Sequence, residues 1–330
     1  MTSNRGRVSM RAATLLTGLI TASAIAAGTS AVAHDLHGLV VERSSLDENT
    51  RAKIDKSNEL RRLLAARANT APGTEGLEAV IQATLRWPGG KISVCFFDGG
   101  MPARDHVATV ATKWSEGTSI AFDFGPAGAR RTCDPANPSN VRISFRGDGY
   151  WSYVGTQARL IDPNKQTLNL QGMDRAQFND NDNGVILHEF GHAVGFEHEH
   201  QSPKSGCQEQ FNWSYLYTAM GWSKEEVDRN MRRLDSSSSA GGLLVTTFDR
   251  QSIMLYSLEP AAFKDPAHAS CFIPEPNNAI SSVDRQAIAK IYPLLPPGAP
   301  APAAGPPPTV ADPAAAQALN QLRGLLQYTP

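Results

Sequence analysis

The run HEFGHAVGFEHE, residues 188–199, constrains the fold of this chain more than any other stretch. His188 and His192 lie four positions apart, so on a helix both side chains project from one face and can bind one metal ion. Gly195 follows, and a glycine can end a helix in the left-handed conformation and reverse the chain. That reversal would bring His198 back as a third nitrogen ligand.

The residue types in this run predict a catalytic rather than a structural zinc site. Zinc held by three protein ligands keeps one position open for water. Glu189 lies beside the first histidine and is placed to reach that water rather than the metal. Surface histidines on an ordinary helix are the alternative, and the added Gly195 and His198 argue against it. His200 is not expected to bind, because a fourth imidazole would fill the open position.

Composition argues against several classes of partner. The 330 residues include 31 basic and 32 acidic side chains, with a formal net charge of -1. This balance gives no electrostatic reason to expect nucleic acid or an anionic membrane surface as a partner. A chain of this length can bury a sizeable core, so a metal is not needed merely for stability.

The N-terminus predicts export. Arg5, Arg7 and Arg11 precede an apolar stretch at 12–27, which meets Ala-Val-Ala at 31–33. This pattern is typical of a secretory signal peptide, here residues 1–33 with cleavage after Ala33. A membrane anchor is the alternative, but the stretch contains polar residues and is shorter than the roughly 20 apolar residues of a span. No later segment predicts a membrane span.

Export changes how the four cysteines are interpreted. An even set of cysteines in an oxidising compartment predicts two disulfides, with three possible connectivities. We favour Cys95–Cys133 and Cys207–Cys271, because short loops close at the lowest entropic cost. A zinc site on these cysteines is disfavoured, since no two have the C-x2-C spacing.

The remaining chain divides by its patterns. Residues 34–76 are charged and helical in pattern, with Leu60, Leu63 and Leu64 on one stripe, and end in turn-forming residues. They predict a pro-region, or alternatively a plain N-terminal helix packed on the domain. Residues 293–330 form a Pro/Ala-rich linker and a short tail, with a helix at about 314–328.

Between these segments the pattern is that of an α/β domain. Residues 179–184 (NDNDNG) predict a helix N-cap, and Ser281 with Asp284 predicts another. The first run also resembles part of a calcium loop, but calcium is not expected because the EF-hand spacing and its terminal Glu are missing. The predicted strands lie at 91–97, 119–124, 141–145, 151–154 and 167–170.

Several motifs together resemble one family. HEFGHAVGFEHE is similar to the HExxHxxGFxHE signature of the astacins, a subfamily of the metzincin metallopeptidases. SIMLY at 252–256 resembles the astacin Met-turn, and GYWSYVG at 149–155 resembles the strand that lines the substrate cleft. RWPGGKI at 86–92 and SSVDRQAIAKIY at 281–292 resemble the start of the mature domain and its closing helix.

This resemblance implies a fold and a function. The expected catalytic domain, residues 77–292, is α+β and zincin-like. It has a twisted, mixed five-stranded sheet with two long helices and an active-site helix that ends at a glycine turn. A mostly irregular C-terminal subdomain carries the Met-turn and the closing helix. The expected function is a secreted, monomeric zinc endopeptidase that cleaves protein or peptide substrates, with Glu189 acting on a zinc-bound water.

The resemblance also assigns roles to single residues. Met254 would form the apolar floor below the zinc ligands, unless it is an ordinary core methionine. Tyr256 would be a further zinc ligand that swings away and stabilises the oxyanion, unless it is a core tyrosine. Glu199 would anchor the N-terminus formed on activation, unless it is a solvated charge. The strand that pairs with substrate would comprise Trp151, Ser152, Tyr153 and Val154.

The sequence departs from many animal astacins in three places. His200-Gln201-Ser202-Pro203 follows the signature, Leu255 replaces a Met-turn histidine, and Tyr150 stands at a frequent cysteine position. These differences suggest a divergent bacterial branch. A zinc hydrolase of non-peptide amides and a non-catalytic zinc-binding module stay open as alternatives.

An aspartate silences the zinc in astacin-like pro-segments. Asp35, Asp47 and Asp55 are the candidates in this chain, and no surrounding motif selects one of them.

Overall fold

The computed structural model of the chain describes residues 48–68, 86–219, 221, 223–234, 247–294 and 312–326. The predicted signal peptide, its cleavage site after Ala33 and both flanks of the predicted pro-region lie outside these residues. Asp35 and Asp47 also lie outside them. The division at residues 33, 76 and 292 therefore stays a prediction.

Five strands form one sheet. They are β1 Lys91–Phe96, β2 Ala121–Asp123, β3 Val141–Ser144, β4 Tyr150–Ser152 and β5 Leu168–Leu170. The strand order is β2-β1-β3-β5-β4. All neighbours pair in parallel except β4, which runs antiparallel to β5 at one edge. The structure thus contains the mixed five-stranded sheet that the family resemblance implies.

The strands are shorter than the sequence pattern predicts, because side chains and turns take over the backbone at their ends. The Thr118 hydroxyl accepts a hydrogen bond from Ile120 N–H, and β2 begins at Ala121, two residues later than predicted. Val154 is the N-cap of a 3₁₀ turn at Gly155–Leu160, which ends the predicted cleft strand early. Tyr150 joins that strand instead, since it pairs with Leu170.

Eight helices are present among the described residues. They are α1 Glu48–Ala68, α2 Met101–Ala111, α3 Asp180–Ala193, α4 Cys207–Gln210, α5 Trp213–Ala219, α6 Lys224–Met231, α7 Ser282–Ile291 and α8 Pro313–Leu326. In the part of the chain that precedes Gly195, α2 packs against α3, and α3 also contacts β4 and β5. Among the described residues of the C-terminal part, the helices that precede α7 are short.

Capping boxes fix the starts of α3 and α7. The Asn179 side chain accepts from Asp182 N–H, and the Asp182 carboxylate accepts in return from Asn179 N–H. Ser281 and Asp284 exchange the same two bonds at α7. α3 begins at Asp180, so most of the polar run lies inside its first turns. The Asp182 carboxylate therefore caps the helix, and it also forms an ion pair with Arg175.

Two apolar cores support the domain. The larger core joins the sheet to α2, α3 and the Met-turn residues Ile253 and Met254. The smaller core lies in the C-terminal part around Phe211, Leu216 and Tyr256. There is one disulfide near each core. Cys95–Cys133 links β1 to the loop before β3, and Cys207–Cys271 lies inside the smaller core. These are the two pairs that loop length favours.

The first and last described helices pack against each other. α1 contacts α8, and both contact the 3₁₀ turn at Gly155–Leu160 that follows β4. Leu60 and Leu64 are buried in the larger core, whereas Leu63 is 38% exposed and lies off the buried stripe. The described part of the predicted pro-region, residues 48–68, therefore packs on the domain, which both interpretations of that segment allow.

Candidate active site

Three histidine side chains converge where α3 ends. His188 and His192 project from α3, and His198 returns to them from the chain that follows. All three are buried, and one ring nitrogen of each lies within 4.8 Å of the others. The Nε2 atoms of His192 and His198 are 3.1 Å apart. The structure thus brings together the three residues predicted as metal ligands.

Gly195 makes this convergence possible. Gly195 N–H donates to His192 O, and Phe196 N–H donates to Gly191 O, which together form a Schellman motif at the end of α3. The φ angle of Gly195 is 110°, in the region that favours glycine. The motif turns the chain back, so that His198 faces the helix it has just left.

The hydrogen bonds of the histidines define their tautomers. His188 Nδ1 lies 2.8 Å from Ile253 O, and His192 Nδ1 lies 2.8 Å from Phe196 O. A main-chain carbonyl can only accept, so both Nδ1 atoms carry the proton and both Nε2 atoms keep a lone pair. His198 Nδ1 faces the side-chain amide of Gln201 at 3.1 Å.

Burial favours neutral imidazoles here. Desolvation lowers the pKa of His192 to about 4. Desolvation, and then the charges of neighbouring histidines, hold the pKa of His198 well below its usual value. Neutral imidazole nitrogen is the form that binds metal. Lone pairs that converge without protons repel each other unless a cation lies between them.

The donor set fits zinc. Zinc–nitrogen bonds of about 2.0–2.1 Å in a tetrahedral site place two nitrogens roughly 3.3 Å apart. The 3.1 Å separation of the His192 and His198 Nε2 atoms is close to that value. Three histidines also leave a fourth position for water or substrate. His200 does not join them, because its Nε2 donates to Asn230 O at 2.9 Å.

Two polar atoms next to the histidines are buried without a hydrogen-bond partner among the described residues: Glu189 Oε2 and the Tyr256 hydroxyl. Burial raises the pKa of Glu189 well above its usual value. Burial, and then the Glu189 charge, raise the pKa of Tyr256. The Tyr256 ring centre lies 4.2 Å from that of His198. Leaving such groups unsatisfied is costly, which points to a ligand or water between them.

Met254 packs beneath the helix that carries the first two histidines. A Cβ atom at Gly191 would lie 2.4 Å from Met254 Sδ, so the glycine in HEFGH gives the methionine its space. Met254 is 1% exposed. The Met-turn is held in turn by Asp284, whose carboxylate accepts from the Ser252 hydroxyl and from Ile253 N–H.

The sequence motifs identify Asp284 only as a helix cap. Its second role depends on a contact with a residue 31 positions away, for which no local signal exists.

The predicted cleft residues lie at and beyond the sheet edge. Trp151 and Ser152 belong to β4, whereas Tyr153 and Val154 follow it. Trp151 and Tyr153 are buried, and Ser152 and Val154 are half-buried. β4 contacts α3, the helix that carries His188 and His192.

Two further acidic residues were candidates for activation roles. Asp55 is exposed on α1 and is not grouped with the three histidines. Glu199 is partly buried, and its carboxylate accepts from Asp249 N–H at 2.9 Å. Burial raises the pKa of Glu199 to about 7, and the charges of Asp284 and Asp249 also raise it.

Three converging histidines and a buried glutamate on a mixed α/β fold are typical of the metal-dependent hydrolases. The family model described as Astacin (Peptidase family M12A) matches residues 79–290. The chain belongs to the astacin family.

Relatives and solved structures agree with this membership. Blastula protease 10 of Paracentrotus lividus is 29% identical over 132 residues, which are 40% of this chain and 20% of that protein. Astacin-like metalloprotease toxin 5 of Loxosceles gaucho is 28% identical over 170 residues, or 52% of this chain and 76% of the toxin. A structure of myroilysin is 29% identical with a TM-score of 0.51, covering 64% of this chain and 98% of that one.

The matched part spans about a fifth of the length of the first two curated relatives. Among the described helices, none is long and apolar enough to cross a bilayer. The bacterial branch, the monomeric state and export stay predictions.

Proposed function

We propose that the chain is a secreted zinc endopeptidase that hydrolyses peptide bonds of protein or peptide substrates. The observation that carries the proposal is the convergence of three buried histidine nitrogens beside the buried carboxyl group of Glu189. The signal peptide at 1–33 and the two disulfides support export. The pro-region at 34–76, the catalytic domain at 77–292 and the tail at 293–330 belong to the same proposal.

The residues of the site divide the chemistry among them. His188, His192 and His198 would hold zinc, which when bound supplies a Lewis acid for the scissile carbonyl and for water. Glu189 takes a proton from the attacking water, and its pKa, raised by burial, suits a carboxyl that later delivers this proton to the leaving amine.

Tyr256 serves the transition state in this proposal. Its buried hydroxyl has no partner among the described residues, so a hydrogen bond to the developing oxyanion satisfies it. Direct binding of this hydroxyl to zinc before substrate arrives is the other role that the family resemblance implies. Met254 would provide the apolar floor.

A peptide substrate fits the edge of the sheet. β4 is an edge strand of the sheet and contacts α3. An extended peptide can therefore pair with β4 as a further strand. Main-chain hydrogen bonds of this kind recognise a polypeptide and not a small amide. The neighbouring residues Trp151, Ser152, Tyr153 and Val154 would then contact the substrate side chains.

One experiment tests this function against its alternatives. The purified chain is incubated with casein and a mixed peptide library, with and without a zinc chelator. Chelator-sensitive cleavage of peptide bonds is the expected result. Cleavage of non-peptide amides alone would identify a different hydrolase. Zinc bound without hydrolysis of any substrate would identify a binding module.

The Glu189→Gln variant tests the general base. It should keep zinc and lose about 10²- to 10⁴-fold in turnover, because a positioned base contributes that much. Glu116→Gln is the matched control, since Glu116 is exposed and contacts only Arg285 among the ion pairs of the described residues. Full activity of Glu189→Gln would remove Glu189 from the mechanism.

A further inference from the structure

The three histidines are oriented by acceptors of two kinds. His188 and His192 donate from Nδ1 to main-chain carbonyls, those of Ile253 and Phe196. His198 instead faces a side chain, Gln201, whose Oε1 lies 3.1 Å from its Nδ1. Two of the three orientations are therefore built into the backbone, and the third depends on one replaceable side chain.

The second contact of Gln201 decides which end of its amide faces His198. Gln201 Nε2 lies 3.1 Å from Arg232 O. An amide oxygen in that position would meet another oxygen with no proton between them, so the nitrogen must face Arg232. The oxygen then faces His198 Nδ1. Because this oxygen cannot donate, Nδ1 carries the proton and His198 Nε2 keeps the lone pair that a metal needs.

Gln201 is held against the end of α6. Its main-chain O accepts from Leu234 N–H at 2.8 Å, and its side chain donates to Arg232 O. The residue is 3% exposed, so the amide cannot turn towards solvent without leaving a buried donor unpaired. His200 adds a bond from the same turn to the same helix, since its Nε2 donates to Asn230 O.

We propose that Gln201 is a positioning residue of the metal centre. It selects the tautomer of His198, holds the ring towards the other two histidines, and makes this one ligand depend on the segment that ends α6. The inference rests on the proposed function, because it takes His198 as a metal ligand. Gln201 lies beyond the HEFGHAVGFEHE run, so the signature assigns no role to it.

The test uses two substitutions with opposite expectations. Gln201→Met keeps the length of the side chain and removes both polar contacts. Gln201→Glu keeps an oxygen for His198 and places a carboxylate against Arg232 O. The matched control is Gln210→Met: Gln210 also donates to one carbonyl and accepts from one main-chain N–H, but contacts Gly206, Ser270 and Cys271 instead of a histidine.

Zinc affinity of the full chain is measured by competition with a chromophoric chelator. The visible absorption of the cobalt-substituted protein and the melting temperature of the metal-free protein are measured beside it. Gln201→Met should bind zinc roughly 10- to 100-fold more weakly and change the cobalt spectrum. Gln201→Glu should lose clearly less zinc affinity than Gln201→Met, because carboxylates are common partners of metal-bound histidines, although the contact with Arg232 O is lost. Gln210→Met should lower the melting temperature and should lose clearly less zinc affinity than Gln201→Met, because Gln210 contacts the smaller core but no histidine.

Three results would overturn the inference. One is wild-type zinc affinity in Gln201→Met. Another is an equal loss in Gln201→Met and Gln201→Glu, which would assign Gln201 only to bracing α6. If Gln201→Met does not fold, a tenfold or larger loss of zinc affinity in Gln201→Glu would overturn the inference instead. Failure of the proposed function is a different result, because the wild-type chain would then bind no zinc at this site.

Discussion

The metal centre has two halves that are built differently. The helix half consists of His188 and His192 on α3, which lies in the larger core and is oriented by main-chain carbonyls. The turn half consists of His198 and the residues after Gly195, which depend on the smaller core and on the Gln201 side chain. The spacing of the two ligands in the helix half is set locally by α3, although the carbonyl that orients His188 comes from Ile253, 65 positions away. The position of His198 depends in addition on the glycine turn, the smaller core and the end of α6.

The two halves are therefore expected to fail differently. Ligands one helical turn apart keep their spacing as long as the helix exists. A ligand that follows a turn keeps its position only while the glycine conformation, the smaller core and the end of α6 all persist. Substitutions that weaken the turn half should lower metal affinity before they unfold the domain.

The largest effect is expected from the two disulfides. In the chain-entropy description, loops of 38 and 64 residues give similar stabilisation, about 4 kcal/mol each. Cys95→Ser/Cys133→Ser and Cys207→Ser/Cys271→Ser should thus lose similar free energies of unfolding, measured in urea without metal. Only removal of the second disulfide should also lower zinc affinity, because Cys207 and Tyr256 belong to the same smaller core. Equal zinc affinities in the two variants would contradict the division into halves.

The next effect concerns Tyr256, which belongs to the smaller core but contacts His198. Tyr256→Phe should lower turnover about 10²-fold, as the loss of one oxyanion donor does. It should not destabilise the metal-free protein, because the buried hydroxyl has no hydrogen-bond partner among the described residues. Steady-state kinetics and thermal unfolding measure the two effects.

Tyr215→Phe is the control for this substitution, since Tyr215 packs against the same core outside the histidine cluster. An unchanged rate in Tyr256→Phe would remove Tyr256 from the mechanism.

The same division separates what the sequence could predict from what it could not. The helix half was predictable, because histidine spacing, the glycine and the two capping boxes are local signals. Met254 and Tyr256 could be named only through the resemblance to a family. Gln201 and the second role of Asp284 were not predictable, because each depends on a contact 31 positions away along the chain. No periodicity or capping rule covers such contacts.

Strand ends and the packing of α1 against α8 were missed for related reasons. A propensity pattern does not contain the Thr118 hydroxyl that occupies Ile120 N–H. The pattern of α1 shows an apolar stripe, but not that the stripe packs with a helix more than 240 residues later.

A smaller effect is expected at Gly195, where the two halves meet. With φ at 110°, an alanine there costs about 1–2 kcal/mol of backbone strain. Gly195→Ala should therefore destabilise the metal-free protein by that amount in urea unfolding and also weaken zinc binding. Gly324→Ala is the control: a Cβ there meets nothing within 4 Å on α8, so roughly 0.5–1 kcal/mol of stabilisation is expected. Wild-type zinc affinity in Gly195→Ala would show that the turn half tolerates a different cap.

The smallest effect is a pH dependence on α6, the helix whose end holds Gln201. Partial desolvation raises the pKa of Asp228, but hydrogen bonds from Lys224, Tyr217 and Arg232 outweigh it. The pKa of Asp228 therefore falls to about 2. A carboxyl whose pKa is lower in the folded state stabilises the fold above its unfolded pKa of about 4, and this contribution is lost as pH falls towards 2.

Solvent screening limits this contribution to less than about 1 kcal/mol, because Asp228 is partly exposed. Urea unfolding of the metal-free protein between pH 5 and pH 2 should show a weaker loss of stability in Asp228→Asn than in wild type. Asp134→Asn, in an exposed turn next to the Cys95–Cys133 disulfide, is the comparison for an acid remote from the metal centre. If α6 supports His198 through Gln201, Asp228→Asn should also lower zinc affinity at neutral pH, whereas Asp134→Asn should not. Identical zinc affinities would place the support of the turn half in Gln201 and the smaller core, without a contribution from the charges of α6.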